Sequence, residues 1–277
     1  MTDVRSYYKH TRFDYRVIWD RTGVPALHFG YYDAHADKHA RALGNMNRAM
    51  AERAGIRAGE RVLDAGCGVG NASFWLTDHM GARVTGLSIV PEQIVDARRY
   101  AARRKGTSPD FVVGDFLNIP FADGHFDVVW ACESFCHATD KGLFFREAFR
   151  VLRPGGRLII ADYVRTDRPL ADEQEALLRD WLRPQAIRDI GTEAEYRSYA
   201  GEAGFSSFTA ADITPNVRVS LRNLHNLCKK WLLPGRIFLA LGIVNDVRFR
   251  NVIASIRQYE ALQMGAWRYG MICAVKG

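Results

Sequence analysis

The chain has 277 residues, 48% of them hydrophobic, and 38 basic against 31 acidic residues give a formal charge of +7. That size and composition describe one large α/β domain with a modest appendage and a real core. The basic surplus permits an anionic partner but compels none, and Arg98-Arg99 and Arg103-Arg104-Lys105 read as a solvated helix face. The five cysteines are scattered and form no C-x-x-C pair, which argues against a disulfide framework and a structural zinc site. Met1-Thr2-Asp3-Val4-Arg5 lacks the apolar core of a signal peptide, and no apolar run of membrane-spanning length occurs. A soluble cytoplasmic protein is the expectation.

In chain order, the first sixty residues read as helical and aromatic, with Tyr7, Tyr8, Phe13, Tyr15, Trp19, Phe29, Tyr31 and Tyr32. Gly23 and Pro25 break this segment, and residues 34–54 have helical periodicity. From Glu60 strands and helices alternate. Strands are expected at 61–65, 83–87, 111–113, 126–131 and 157–161, and helices at 72–79, 91–104 and 140–152. Pro91 suits the first turn of its helix, and Arg153-Pro154-Gly155-Gly156 stops the last one. Such alternation predicts a parallel sheet with helices on both faces. Helices follow at 173–181 and 193–203, then strands at 207–213 and 269–275 around an insertion at 215–263. The apolar run Ile237–Val244 in that insertion reads as a buried helix, with a lid over an apolar acceptor or a membrane-surface helix as the functional alternatives.

The chemistry begins at Val62-Leu63-Asp64-Ala65-Gly66-Cys67-Gly68-Val69-Gly70, a strand running into a glycine-rich turn. Glycine lets backbone approach a ligand closely. The spacing is G-x-G-x-G, not the dinucleotide G-x-G-x-x-G, and Asp64 would repel a pyrophosphate. The second strand ends at Ser88, where dinucleotide enzymes place a ribose-binding acid. Gly114-Asp115-Phe116 follows the third strand and Cys132-Glu133-Ser134-Phe135-Cys136-His137 the fourth. Were the latter segment helical, Glu133 and His137 would share a face one turn apart. Asp162 closes the fifth strand, either facing an acceptor or capping the strand end.

These motifs resemble class I S-adenosylmethionine-dependent methyltransferases, closest to tocopherol-, sterol- and natural-product-type enzymes, strongly over residues 60–162. The resemblance implies a Rossmann-like seven-stranded sheet with helices on both faces. It implies a helical cap at 1–55, a cofactor-binding core at 56–214 plus 264–277, and a helical lid or substrate-binding insertion at 215–263. S-adenosylmethionine is the cofactor so implied. Gly66, Gly68 and Gly70 would pass under its methionine and ribose, with Asp64 beside them. Ser88 and Gln93 would contact the ribose, Ile89 the adenine, and Asp115 the adenine amine with Phe116 on the ring. Cys132 joins the cofactor set, and Tyr31, in His28-Phe29-Gly30-Tyr31-Tyr32, would reach the methionine carboxylate.

Glu133 and His137 are the catalytic candidates. The acceptor so implied is small and apolar or amphipathic, of isoprenoid or natural-product type. The resemblance leans toward methylation of carbon, the alternative being a hydroxyl, phenol or amine deprotonated by His137 or Glu133. A binding protein of the same fold without turnover is the reading from another class. No base-flipping motif or dense basic stripe supports a nucleic-acid partner. Stable membrane insertion is not expected, no metal is implied, and a homo-oligomer is left open.

Overall fold

The computed structural model describes residues 4–8, 10–11, 28–34, 36 and 38–277. Phe13, Tyr15, Trp19, Gly23 and Pro25 of the expected aromatic cap lie outside the described residues. Residues 4–8 and 10–11 are helical, and Tyr7 there is buried.

Seven strands form one sheet: β1 (Arg61–Ala65), β2 (Arg83–Ser88), β3 (Asp110–Val113), β4 (Phe126–Cys132), β5 (Leu152–Arg165), β6 (Phe205–Asp212) and β7 (Trp267–Lys276). Their order is β3-β2-β1-β4-β5-β7-β6. The β3-β2-β1-β4-β5 portion is parallel, as the alternation predicts. Helices α1 (His39–Ala54), α2 (Asn71–Met80), α3 (Pro91–Ala102) and α4 (Lys141–Val151) flank it, followed by α5 (Asp172–Leu182) and α6 (Glu193–Ala203). Burial explains the layers. In β4, Val128 and Trp130 enter one core with Met46 and Met50 of α1 and Trp181 of α5. Val129 and Ala131 point to the opposite face, against Phe144, Phe145 and Ala148 of α4. A strand buried on both faces needs helices on both.

β7, beyond the regular alternation, is antiparallel to both β5 and β6. The insertion explains this. It folds as α7 (Thr214–Ala240) and α8 (Asp246–Gln263) joined by a short turn. Gly235 faces Phe249, and the rings of His225 and Tyr259 are 4.9 Å apart, so the pair is antiparallel. Such a hairpin returns the chain to the end of the sheet it left, where Thr214 Oγ1 accepts from Tyr269 N–H at 2.8 Å. The next strand must then run backwards.

β5 is longer than expected at both ends, from Leu152 to Arg165, and residues 153–156 bulge out between its pairings with Phe126 and Val128, with Gly155 at φ +72°. A Cβ on Gly156 would lie 2.8 Å from the Arg153 carbonyl oxygen, so only glycine fits there. The apolar run of the insertion is not the buried helix expected. Ile237, Leu241 and Ile243 are 52%, 66% and 62% exposed. Among the described residues, no helix is long and apolar enough to cross a membrane.

Candidate active site

In a parallel sheet the loops beyond the carboxyl ends of the strands converge, and a cleft among the described residues lies there. The turn after β1 builds one wall. Gly66, Gly68 and Gly70 have φ of +91°, +55° and +91°, a region open to glycine and strained for other residues. Gly66 also lies so close to Ser134 that a Cβ would come within 2.3 Å of that side chain. The N–H groups of Gly66 and Cys67 both donate to the Leu87 carbonyl, at 2.8 and 3.0 Å, which ties the turn to β2. Asp64 is buried beneath it and accepts from Ser73 Oγ at 2.6 Å. Burial pushes its carboxyl up to about 6, against the pull of the Ser73 hydrogen bonds.

The ends of β2 and β3 supply the adjoining wall. Ser88 Oγ donates to Gln93 Oε1 at 2.8 Å and accepts from Val90 N–H at 3.2 Å, which fixes the loop into α3. Asp115 Oδ1 accepts from Leu117 N–H at 2.8 Å, a turn cap, while the residue also lines the cleft beside Phe116.

The far end of the cleft is made after β4. The segment is not an α-helix, so Glu133 and His137 do not share a helix face. Glu133 has φ +49°, a left-handed conformation that ends the strand abruptly, and Phe135–His137 form a single 3₁₀ turn. Both side chains reach the cleft by this other route. Glu133 Oε1 accepts from Phe29 N–H at 2.6 Å and Tyr269 Oη–H at 2.8 Å, and Oε2 accepts from Tyr163 Oη–H at 2.9 Å. Even with three donors, burial pushes the carboxyl up to about 8. His137 Nε2 lies 3.1 Å from the Tyr8 hydroxyl, and burial lowers its pKa to about 4, so the ring is neutral at neutral pH.

The half-buried Lys141 and the buried Asp162 hold that turn. Lys141 Nζ donates to the carbonyls of Phe135, Cys136 and Ala138 at 2.9, 2.8 and 2.9 Å. Asp162 accepts from the N–H groups of Cys136 and Tyr163, each at 2.8 Å. Asp162 lies inside β5, which runs on to Arg165, so neither expected role is seen: its carboxylate holds the turn after β4 and does not line the cleft.

Asp64, Gly66, Gly68, Ser88, Ile89, Gln93, Asp115, Phe116, Cys132, Glu133 and His137 are thus brought to one cleft. Tyr31 and Gly70 are not among its lining residues. Tyr31 is held through its backbone, by Ala42 and Asn45 of α1. A Cβ on Gly70 would strike the Phe111 ring, so its task is packing behind the turn.

The sequence reading missed His28 and Tyr8, which do line the cleft. His28 Nδ1 donates to the Phe29 carbonyl at 3.0 Å, which leaves its buried Nε2 facing the site as an acceptor beside Asn71. His28 sat in the His28–Tyr32 segment already singled out, but no spacing rule pointed to Tyr8. None of the described residues lining the cleft belongs to the insertion at 215–263.

A turn held in glycine conformations, a buried acid under it and acceptors along the walls fit a cationic nucleoside such as S-adenosylmethionine. Comparison with known proteins agrees. Residues 63–160 match the methyltransferase domain family. The chain is 33% identical over 204 residues to 27-O-demethylrifamycin SV methyltransferase of Amycolatopsis mediterranei, covering 70% of this chain and 71% of that one. It is 33% identical over 274 residues to 2-methyl-6-phytyl-1,4-hydroquinone methyltransferase of Synechocystis, covering 90% and 80%. In fold it resembles the cyclopropane synthase MmaA2 of Mycobacterium tuberculosis, with a TM-score of 0.83 at 16% identity over 99% of this chain and 97% of that one. The chain therefore belongs to the class I S-adenosylmethionine-dependent methyltransferases, enzymes that here take small molecules as acceptors.

Proposed function

We propose that the protein methylates a hydroxyl oxygen of a small, largely apolar acceptor, and that His137 takes the hydroxyl proton. The observation that carries this reading is the unequal state of the two groups after β4. Both Glu133 oxygens already accept hydrogen bonds from the protein, and the carboxyl sits up at about 8. Glu133 is thereby a clamp, its oxygens engaged by protein donors and its carboxyl already holding a proton at neutral pH. His137 is neutral, lines the cleft and meets a hydroxyl, that of Tyr8, at 3.1 Å. An acceptor hydroxyl at or beside the Tyr8 position hands its proton to Nε2 as its oxygen gains the methyl.

S-adenosylmethionine, when bound, supplies an electrophilic methyl on a sulfonium sulfur. The chain's own task is alignment and exclusion of water. Asp64, Gly66 and Gly68 form the wall for the methionine and ribose, with Ser88 and Gln93 at the ribose hydroxyls. Asp115 accepts the adenine amine, with Ile89 and Phe116 against the ring and Cys132 on the floor. The convergence of these residues on one cleft supports that assignment. The name of the rifamycin relative, which specifies an oxygen, supports the choice of atom. The carbon reading toward which the motifs lean needs a carboxylate free to meet a carbocation, and both Glu133 oxygens are engaged by protein donors.

The test uses methyl-labelled S-adenosylmethionine with prenylated phenols and with their methyl ethers. Label should enter the phenols as a methyl ether and leave the blocked compounds untouched. His137→Ala should cut kcat by roughly 10²- to 10⁴-fold with little change in cofactor affinity. Label on carbon, or near-normal turnover in the variant, would sink the reading.

A further inference from the structure

We propose that the tip of the α7–α8 hairpin docks the protein on an anionic lipid surface. The first half of α7 is anchored, with Val217, Leu221 and Cys228 buried. Beyond Cys228 no residue of α7 is buried. The remaining twelve residues of the helix extend roughly 18 Å at 1.5 Å per residue. Large apolar side chains crowd this end. Trp231 is 50% exposed, Leu233 69%, Ile237 52%, Leu241 66% and Ile243 62%. A soluble surface rarely gathers that much apolar area without a partner to cover it.

Charge says what the partner is. Residues 213–245 carry Arg218, Arg222, Lys229, Lys230 and Arg236, all exposed, and not one Asp or Glu. Trp231 directly follows the lysine pair, the arrangement of an apolar plug with cationic flanks. Tryptophan and leucine seat at the boundary of headgroups and acyl chains, while the lysines and arginines meet anionic headgroups. No described helix is long and apolar enough to span a bilayer, so the contact is a shallow one made by the tip. The tip is separate from the catalytic cleft, whose described lining residues all lie outside the insertion. Docking and methyl transfer are accordingly separable.

The test is flotation of the full chain with vesicles of phosphatidylcholine alone and of phosphatidylcholine mixed with phosphatidylglycerol. The wild type should float with the anionic vesicles only, and added salt should release it. Leu233→Glu with Ile237→Glu, and separately Lys229→Glu with Lys230→Glu, should each lower the bound fraction at least about tenfold. Both variants alter exposed positions, so their circular dichroism and their affinity for S-adenosylmethionine should match the wild type. Equal flotation of variants and wild type, or no flotation with anionic vesicles, overturns the proposal. So does a wild type that sediments as a dimer, ignores vesicles and becomes monomeric in the Leu233→Glu, Ile237→Glu variant, because the tip then belongs to a second copy.

Discussion

At Glu133 one side chain fastens three separate parts of the chain, and its substitutions should separate structure from titration. Its partners lie 104, 30 and 136 positions away, at Phe29, Tyr163 and Tyr269. Glu133→Ala leaves a backbone N–H and two buried hydroxyls without their acceptor, and should cost about 3 kcal/mol or more. Glu133→Gln keeps one oxygen for Phe29 and Tyr269, and the Tyr163 hydroxyl can rotate to accept from the new amide. It should fold with a much smaller loss. The glutamine also removes a titration. Burial raises the folded pKa of Glu133 from 4.5 to about 8, so its contribution is fully present below pH 4.5 and is lost as pH rises through 8. Urea midpoints measured from pH 4.5 to 8 should therefore decline less steeply in the glutamine variant. Parallel slopes would show that Glu133 does not titrate there. A companion case is Gly66→Ala, which faces both φ +91° and the Ser134 side chain, itself pinned by a 2.6 Å bond to the Ala65 carbonyl. Its expected cost is about 2–4 kcal/mol, whereas Gly155→Ala meets nothing within 4 Å and should lose about 1–2 kcal/mol from its φ of +72° alone.

The turn after β4 shows how an element, not a single residue, aims the chemistry. A 3₁₀ turn this short has little internal hydrogen bonding, so Lys141 and Asp162 hold its carbonyls and an N–H from outside. Lys141→Met should fold, because the stem fills the same space, but it frees three carbonyls and lets the His137 ring drift. Turnover should fall about 10- to 100-fold while affinity for S-adenosylmethionine stays within a factor of about three. An equal loss in both quantities would show that Lys141 supports the whole cleft and not this turn.

The same element marks how far the sequence could be read. The strand-helix alternation from β1 to β5 was legible because each element buries its own apolar face locally. Asp64, Ser88 and Asp115 were legible as strand-end residues for the same reason. The clamp of three donors on Glu133 and the Tyr8–His137 contact depend on pairs 30 to 136 positions apart, which no local pattern records. The reversal of β7 depends on α7 and α8 folding back together. The exposure of Ile237–Val244 was hidden because an apolar run looks the same whether it is covered by protein or by something else.

Taken whole, the molecule carries its charges in opposite senses inside and out. The formal charge is +7, yet the cleft buries Asp64 and Glu133, held up at about 6 and about 8. At neutral pH Glu133 is then largely protonated and Asp64 largely ionised. A sulfonium cation brought into that cleft favours the ionised form of both carboxyls and lowers their pKa values. Binding of S-adenosylmethionine should therefore release protons, and its affinity should rise with pH between about 6 and 8. S-adenosylhomocysteine has the same adenosine and amino-acid ends but a neutral sulfur, and it should release fewer protons and show a flatter profile. Calorimetric titrations at pH 7 in two buffers of different ionisation enthalpy measure the proton count directly. In Glu133→Gln the difference between the two ligands should shrink. If both ligands release the same number of protons in the wild type, the sulfonium does not sense these carboxylates, and the interior acids serve the fold alone.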